Sequence, residues 1–122
     1  MKPGKTGFAR LLDATTYSLS GIRACWRNEA AFRQEVVLVG VLTPLSFMLA
    51  KTIEQWLLLI FPLFLLLIVE LLNTAIENTV DRIGSELNPL SAKAKDMGSA
   101  AVFFCLLLTG LSWVSITWKN FF

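Results

Sequence analysis

The chain has 122 residues, 55% of them apolar and only 16% charged, with a formal net charge of +2 and a mean hydropathy of +0.62. That size allows one domain, and that balance points to a membrane protein before any segment is drawn. There is no histidine, which excludes histidine catalysis and histidine metal sites; the two cysteines, Cys25 and Cys105, lack metal-ligand spacing and read as buried small residues.

Met1 to Arg10 is polar and basic, and no apolar core with a small-residue cleavage site follows, so no signal peptide is expected. Phe8, Leu11, Leu12, Thr15, Leu19, Ile22 and Trp26 then recur at helical spacing, with Arg10, Asp13, Ser20, Arg23 and Arg27 between them. This pattern predicts an amphipathic helix over about 8–28 lying in the membrane interface, its basic face towards water. Gly21 is a place where it can bend.

Ala30 to Ala50 reads as the first span. It is free of charge from Val36 onward, reaches about 20 residues, and carries Pro44 as an expected kink. Lys51 to Glu54 is a short connection, so the first two spans should be antiparallel neighbours. The second span covers about 55–79 and passes Pro62. It emerges from an apolar run into V-E-L-L-N-T-A-I-E-N-T-V-D-R-I-G, Val69 to Gly84. In that stretch Glu70, Asn73, Glu77 and Asp81 are spaced to fall on one side of a helix.

At about 1.5 Å per residue from Gln55, Glu70 lies ~22 Å along the span and Glu77 ~33 Å. Glu77 is therefore placed near the far interface and Glu70 about two turns below it, in hydrocarbon. Burying a charge there costs at least ~2.5 kcal/mol at the membrane centre, which makes the stripe a candidate functional site. Asp81 to Asp96 reads as a polar turn punctuated by Gly84, Asn88 and Pro89. Met97 to Trp118 holds no charge in twenty-two residues and is the third span, opening on small residues from Gly98 to Ala101.

Lysine and arginine set the orientation. Six (Lys2, Lys5, Arg10, Arg23, Arg27 and Arg33) precede the uncharged run of the first span and three lie in the 81–96 segment, against Lys51 and Lys119 on the other side. The positive-inside rule places the N-terminus and that segment in the cytoplasm. A carboxylate at the depth of Glu70 can take a proton from a lipid hydroxyl, and one at the depth of Glu77 can hold a hydrated magnesium ion. Their ~10 Å separation argues against shared chelation. Glu29, at the end of the surface helix, is the nearest candidate for a second metal carboxylate. Phosphoryl transfer needs positioning and charge neutralisation, yet no P-loop or kinase glycine-rich loop is present. Lys95 with Asp96, and Arg10, are candidate substitutes. Each element also has a plainer reading. Glu70 and Asn73 can be interhelical hydrogen-bonding groups, Glu77 and Asp81 interfacial charges pairing Arg82, and Lys93 and Lys95 topology markers.

The runs N-E-A-A-F-R-Q-E (Asn28 to Glu35), V-E-L-L-N-T-A-I-E-N-T-V-D-R-I-G-S-E (Val69 to Glu86) and A-K-D-M-G-S-A-A (Ala94 to Ala101) resemble the prokaryotic integral-membrane diacylglycerol kinase family. The resemblance covers nearly the whole chain and departs from the family mainly in the first span and the Lys51 to Glu54 turn. It implies an all-α membrane protein, a surface helix plus three transmembrane helices in a homotrimer with sites shared between subunits. The implied reaction is phosphorylation of diacylglycerol by Mg-ATP at the cytoplasmic face of the bacterial inner membrane, yielding phosphatidic acid, with no nucleic-acid partner.

Carried over by position, Glu70 matches the catalytic base, Asn73 a supporting residue, and Glu29 and Glu77 the Mg2+ and ATP carboxylates. Arg10, Tyr17, Glu86, Leu87, Asn88, Lys95 and Asp96 match further ATP contacts. Arg10, Ala14, Arg23, Ala24, Trp26, Ala31, Glu35, Glu70, Ser99 and Trp113 match the lipid site. Two other readings stand beside this one: an undecaprenol kinase of the same superfamily, and a small proton-coupled multidrug exporter working through Glu70.

Overall fold

The computed structural model describes residues 6–84 and 88–122, and every regular element among them is helical. Four helices follow in chain order: α1 (Gly7–Asn28), α2 (Ala30–Leu49), α3 (Ile53–Ile83) and α4 (Pro89–Phe121). The last three are long and apolar enough to cross a membrane. The expected surface helix and three spans are therefore all present.

The boundaries have local causes. α1 ends at a single residue, Glu29, whose extended backbone (φ −121°, ψ 111°) also starts α2. Gly21 does not interrupt α1, and α2 runs through Pro44 without a break. Thr43 and Ser46, flanking that proline, turn their hydroxyls back onto the carbonyls of Val39 and Thr43, both at 2.6 Å. Thr52 starts α3 by accepting the Gln55 N–H at 3.1 Å, and Asn88 starts α4 by accepting the Leu90 N–H at 2.8 Å. Each side-chain cap satisfies an amide that a helix end leaves without a carbonyl.

The polar turn expected over 81–96 is much shorter. α3 continues to Ile83, and α4 begins at Pro89, eight positions before the predicted start of the third span at Met97. Proline at the first helical position has no N–H to lose, and the S-A-K-A-K run after it is helix-compatible once Asn88 caps it. Lys93, Lys95 and Asp96 therefore stand on a helix rather than in a loop. Glu86 and Leu87 lie outside the described residues.

α3 is the centre of the bundle. It packs most extensively on α4, also on α2, and it receives the end of α1; α1 and α4 do not meet among the described residues. Leu59, Leu63 and Leu66 are fully buried on α3, and Glu70 and Asn73 extend the same face at 4% and 7% exposure. The row 59, 63, 66, 70, 73 is one stripe at 3- and 4-residue spacing, so the polar residues occupy core positions of the same helix face. Most other large apolar side chains point outward, among them Phe61, Phe64, Phe103, Phe104 and Leu111. Outward apolar side chains on span-length helices are what a lipid solvent requires.

Candidate functional site

The acidic stripe surfaces as α3 climbs. Glu70 and Asn73 are buried, Glu77 is half-buried and Asp81 is exposed. From Ile53, Glu70 lies ~26 Å along the helix and Glu77 ~36 Å. Asp81 ends the series in an ion pair with Lys95 of α4, 2.5 Å apart. Asp81 is exposed and the Lys95 side chain partly so, which makes this bridge worth little in stability. It does bring the outer end of α3 against the first turns of α4.

Glu70 sits where three helices converge. Its carboxyl meets another carboxyl, Glu35 of α2, at hydrogen-bonding range. Glu29 and Glu77 are near enough to act on Glu70 electrostatically. Glu35 Oε2 is buried and finds no donor among the described residues. Acid therefore faces acid here, with no cation of this chain between them among the described contacts.

Asn73 is the second buried member. It donates through Nδ2 to Glu77 Oε1 at 3.4 Å, which steers that carboxylate. Its Oδ1 is buried without a partner. The oxygen is pressed against Gly98 of α4, where an added Cβ would come within 2.1 Å of it. Only glycine leaves that space, and the small-residue start of the third span thus has a specific contact. A groove of about 440 Å³ opens beside Asn73, lined otherwise by apolar groups of α3 and α4, including Val69, Leu72, Ile76, Met97 and Ala101.

α1 joins the cluster through Cys25, buried and free, whose thiol donates to Thr74 Oγ1 on α3 at 3.6 Å. Burial pushes the Cys25 thiol above its usual range despite that bond, and Glu29, Glu70 and Glu35 add to the upward push. The thiol stays protonated at neutral pH and serves as a donor. Cys25 is buried as its sequence reading expected, but its pairing with Thr74 gave no sign in the sequence, since a small polar residue on an apolar face carries no spacing signal.

The other expected positions divide. Arg10, Tyr17, Arg23, Ala24, Trp26, Ala31, Asn88, Asp96 and Ser99 are exposed, and Ala14 is half-buried. Arg10 is ~27 Å along α1 from Asn28, and α1 does not reach α4. One chain therefore gathers Glu29, Glu35, Glu70, Asn73 and Glu77, but keeps Arg10 and Tyr17 apart from Lys95 and Asp96. Trp113 lies ~21 Å along α4 from Ser99, with its indole N–H donated to the Leu59 carbonyl at 3.1 Å. Among the described residues no three acidic or thiol groups converge tightly enough to enclose a metal ion by themselves.

Comparison with known proteins follows the same lines. The family model for prokaryotic diacylglycerol kinase matches residues 16–117. A diacylglycerol kinase of Escherichia coli strain K12 is 46% identical over 129 aligned positions, covering 99% of each chain. One of Pseudomonas aeruginosa is 52% identical over 113, covering 93% of this chain and 92% of its own. One of Helicobacter pylori strain 26695 is 46% identical over 111, covering 91% and 87%. With its length, its helices and its buried acidic stripe all accounted for, the chain belongs to the prokaryotic diacylglycerol kinase family.

Proposed function

We propose that this chain transfers the γ-phosphoryl group of ATP to the hydroxyl of diacylglycerol, yielding phosphatidic acid at the cytoplasmic face of a bacterial inner membrane. The observation that carries the reading is the position of Glu70. It is 4% exposed, on the core face of the central helix, one turn from the groove-lining Asn73. Buried carboxylates at membrane depth are rare and tend to be functional.

In this reading Glu70 takes the proton of the lipid hydroxyl as its oxygen bonds to the γ-phosphorus and the bond to the ADP oxygen breaks. The lipid reaches Glu70 from the bilayer, its apolar part suited to the groove beside Asn73. Glu35 sits against Glu70 and holds it in place where the two carboxyls share a proton, while Asn73 orients Glu77. Lys95, tied to Asp81, marks the level at which phosphates are met.

Glu29 and Glu77 are the carboxylates suited to Mg2+. Both are half-buried, and Glu77 already accepts a bond that fixes its direction. Two protein carboxylates with phosphate oxygens and water match the octahedral habit of Mg2+ better than an all-protein cage. Bound there, the ion would neutralise phosphate charge. The separation of Arg10 and Tyr17 from Lys95 and Asp96 within one chain favours sites that draw α1 and α4 from different subunits, as in the homotrimer that the family resemblance implies. Of the eleven Lys and Arg residues, five precede α2, Arg33 lies in its first turn, and Arg82, Lys93 and Lys95 flank the α3–α4 junction, against Lys51 and Lys119 at the opposite end; this distribution favours a cytoplasmic N-terminus.

Labelled ATP offered with diacylglycerol, undecaprenol and ceramide side by side in detergent micelles tests the reading. Label in phosphatidic acid is the expected result. Label in undecaprenyl phosphate alone would reassign the substrate, and proton-gradient-driven transport without ATP turnover would replace the kinase by an exporter.

A further inference from the structure

The elbow between α1 and α2 is made by one residue and held by another. Glu29 closes α1 by donating its N–H to the Cys25 carbonyl at 2.9 Å, and opens α2 by accepting the Arg33 N–H at 3.3 Å. Its side chain caps neither helix. The carboxyl of Glu29 is thus free of local duty, and its direction is set by the angle at which the two helices leave it.

Breaking the helix at Glu29 leaves the last carbonyls of α1 without their ordinary amide partners. Arg33, one turn into α2, reaches back to them. Its Nη1 donates to the Trp26 carbonyl at 2.7 Å and to the Arg27 carbonyl at 3.2 Å. Arg33 is half-buried, and a guanidinium at a helix C-terminus also meets the negative end of the helix dipole. One planar head bonded to two successive carbonyls fixes α1 against α2 far more tightly than a single extended residue can. Glu29 is the pivot inside that bracket.

We infer that Arg33 is a positioning residue that holds the α1–α2 elbow at the angle which points Glu29 into the cluster with Glu70 and Glu77. This deepens the kinase reading and rests on Glu29 being a metal carboxylate. Arg33 itself touches backbone, so its effect on the reaction passes through Glu29. A residue that orients a metal ligand characteristically changes metal affinity by about 10–100-fold when lost.

The test is the Mg2+ dependence of diacylglycerol phosphorylation, read beside direct Mn2+ binding by electron paramagnetic resonance with a non-hydrolysable ATP analogue, in full-length R33M, R33K, E29Q and E29Q/R33M. Methionine keeps the apolar stem and removes every donor. R33M is expected to raise the Mg2+ concentration for half-maximal rate about 10-fold, with turnover largely recovered at saturating Mg2+. R33K, which can satisfy one carbonyl as a point charge, should fall between R33M and wild type. The double variant should shift no further than E29Q, because both changes act on one ligand.

A wild-type Mg2+ requirement in R33M beside a shifted one in E29Q overturns the role of Arg33 alone. So does a fall in turnover at every Mg2+ concentration with the half-point unmoved. An unshifted E29Q overturns the metal assignment of Glu29 and this inference with it. Should R33M not fold, R33K reads the same quantity, and a lysine variant with an unshifted half-point overturns the inference.

Discussion

The two ends of α3 treat their polar residues in opposite ways. At the Ile53 end, Gln55 and Asn120 exchange side-chain amide bonds at 3.2 and 2.8 Å. Asn120 also donates to the Leu49 carbonyl at 2.7 Å, Lys51 Nζ to the Asn120 carbonyl at 3.0 Å, and the Lys51 N–H to Gln55 at 2.9 Å. Trp56 adds its indole N–H to Ser46 Oγ at 3.1 Å. This clasp ties the α2–α3 turn to the end of α4. At the other end, Asn73 Oδ1 and Glu35 Oε2 are buried without partners, and Glu70 meets a carboxyl. Satisfied polar groups rigidify a fold, whereas orphaned ones in a native protein call for a role. One end holds helices together; the other is where the proposed function places the chemistry.

Three substitutions can break or sharpen that contrast. The largest effect belongs to Glu70→Gln, which keeps shape and packing and removes the proposed base. Lipid phosphorylation should fall about 10²–10⁴-fold with thermal stability in detergent unchanged. A turnover close to wild type would take Glu70 out of the reaction.

Next comes Gly98→Ala. The new methyl would overlap Asn73 Oδ1, so the amide must turn away and release Glu77. Overpacking of this kind costs about 1–3 kcal/mol, and activity should fall further than the melting temperature implies. Equal losses of activity and folded fraction would instead make Gly98 a packing residue only.

The smallest effect on chemistry is expected from Asn120→Ala at the clasp. It strands the Leu49 carbonyl and the Gln55 amide at a cost of about 1–3 kcal/mol. The melting temperature should drop while turnover per folded enzyme stays constant. A change in turnover would show that the clasp reaches the acidic cluster some distance along α3.

Much of this was legible in the residues. The 3.6-residue period, the absence of charge in the spans and the lone Glu29 between two helical patterns located the elements. Glu70, Asn73, Glu77 and Asp81 declared a common face by spacing alone. The polar turn over 81–96 was drawn too long because Gly, Asn and Pro mark a turn and a helix N-terminus with the same letters. Here Asn88 and Pro89 are a cap and a first helical residue. Arg33 read as a topology charge, since nothing in spacing says that a side chain turns back on the preceding helix.

The sequence by itself determined that this is a helical protein with three span-length apolar helices and an acidic stripe on one face of the second, because periodicity and hydropathy are properties of each helix taken singly. Only the tertiary structure decided that those acids continue the leucine core of α3, that Glu35 meets Glu70, that Gly98 admits Asn73 and that Arg33 brackets Glu29. The reason is rotation. A helix fixes which of its own residues share a face, but which face meets which neighbour is set by how separate helices turn against one another.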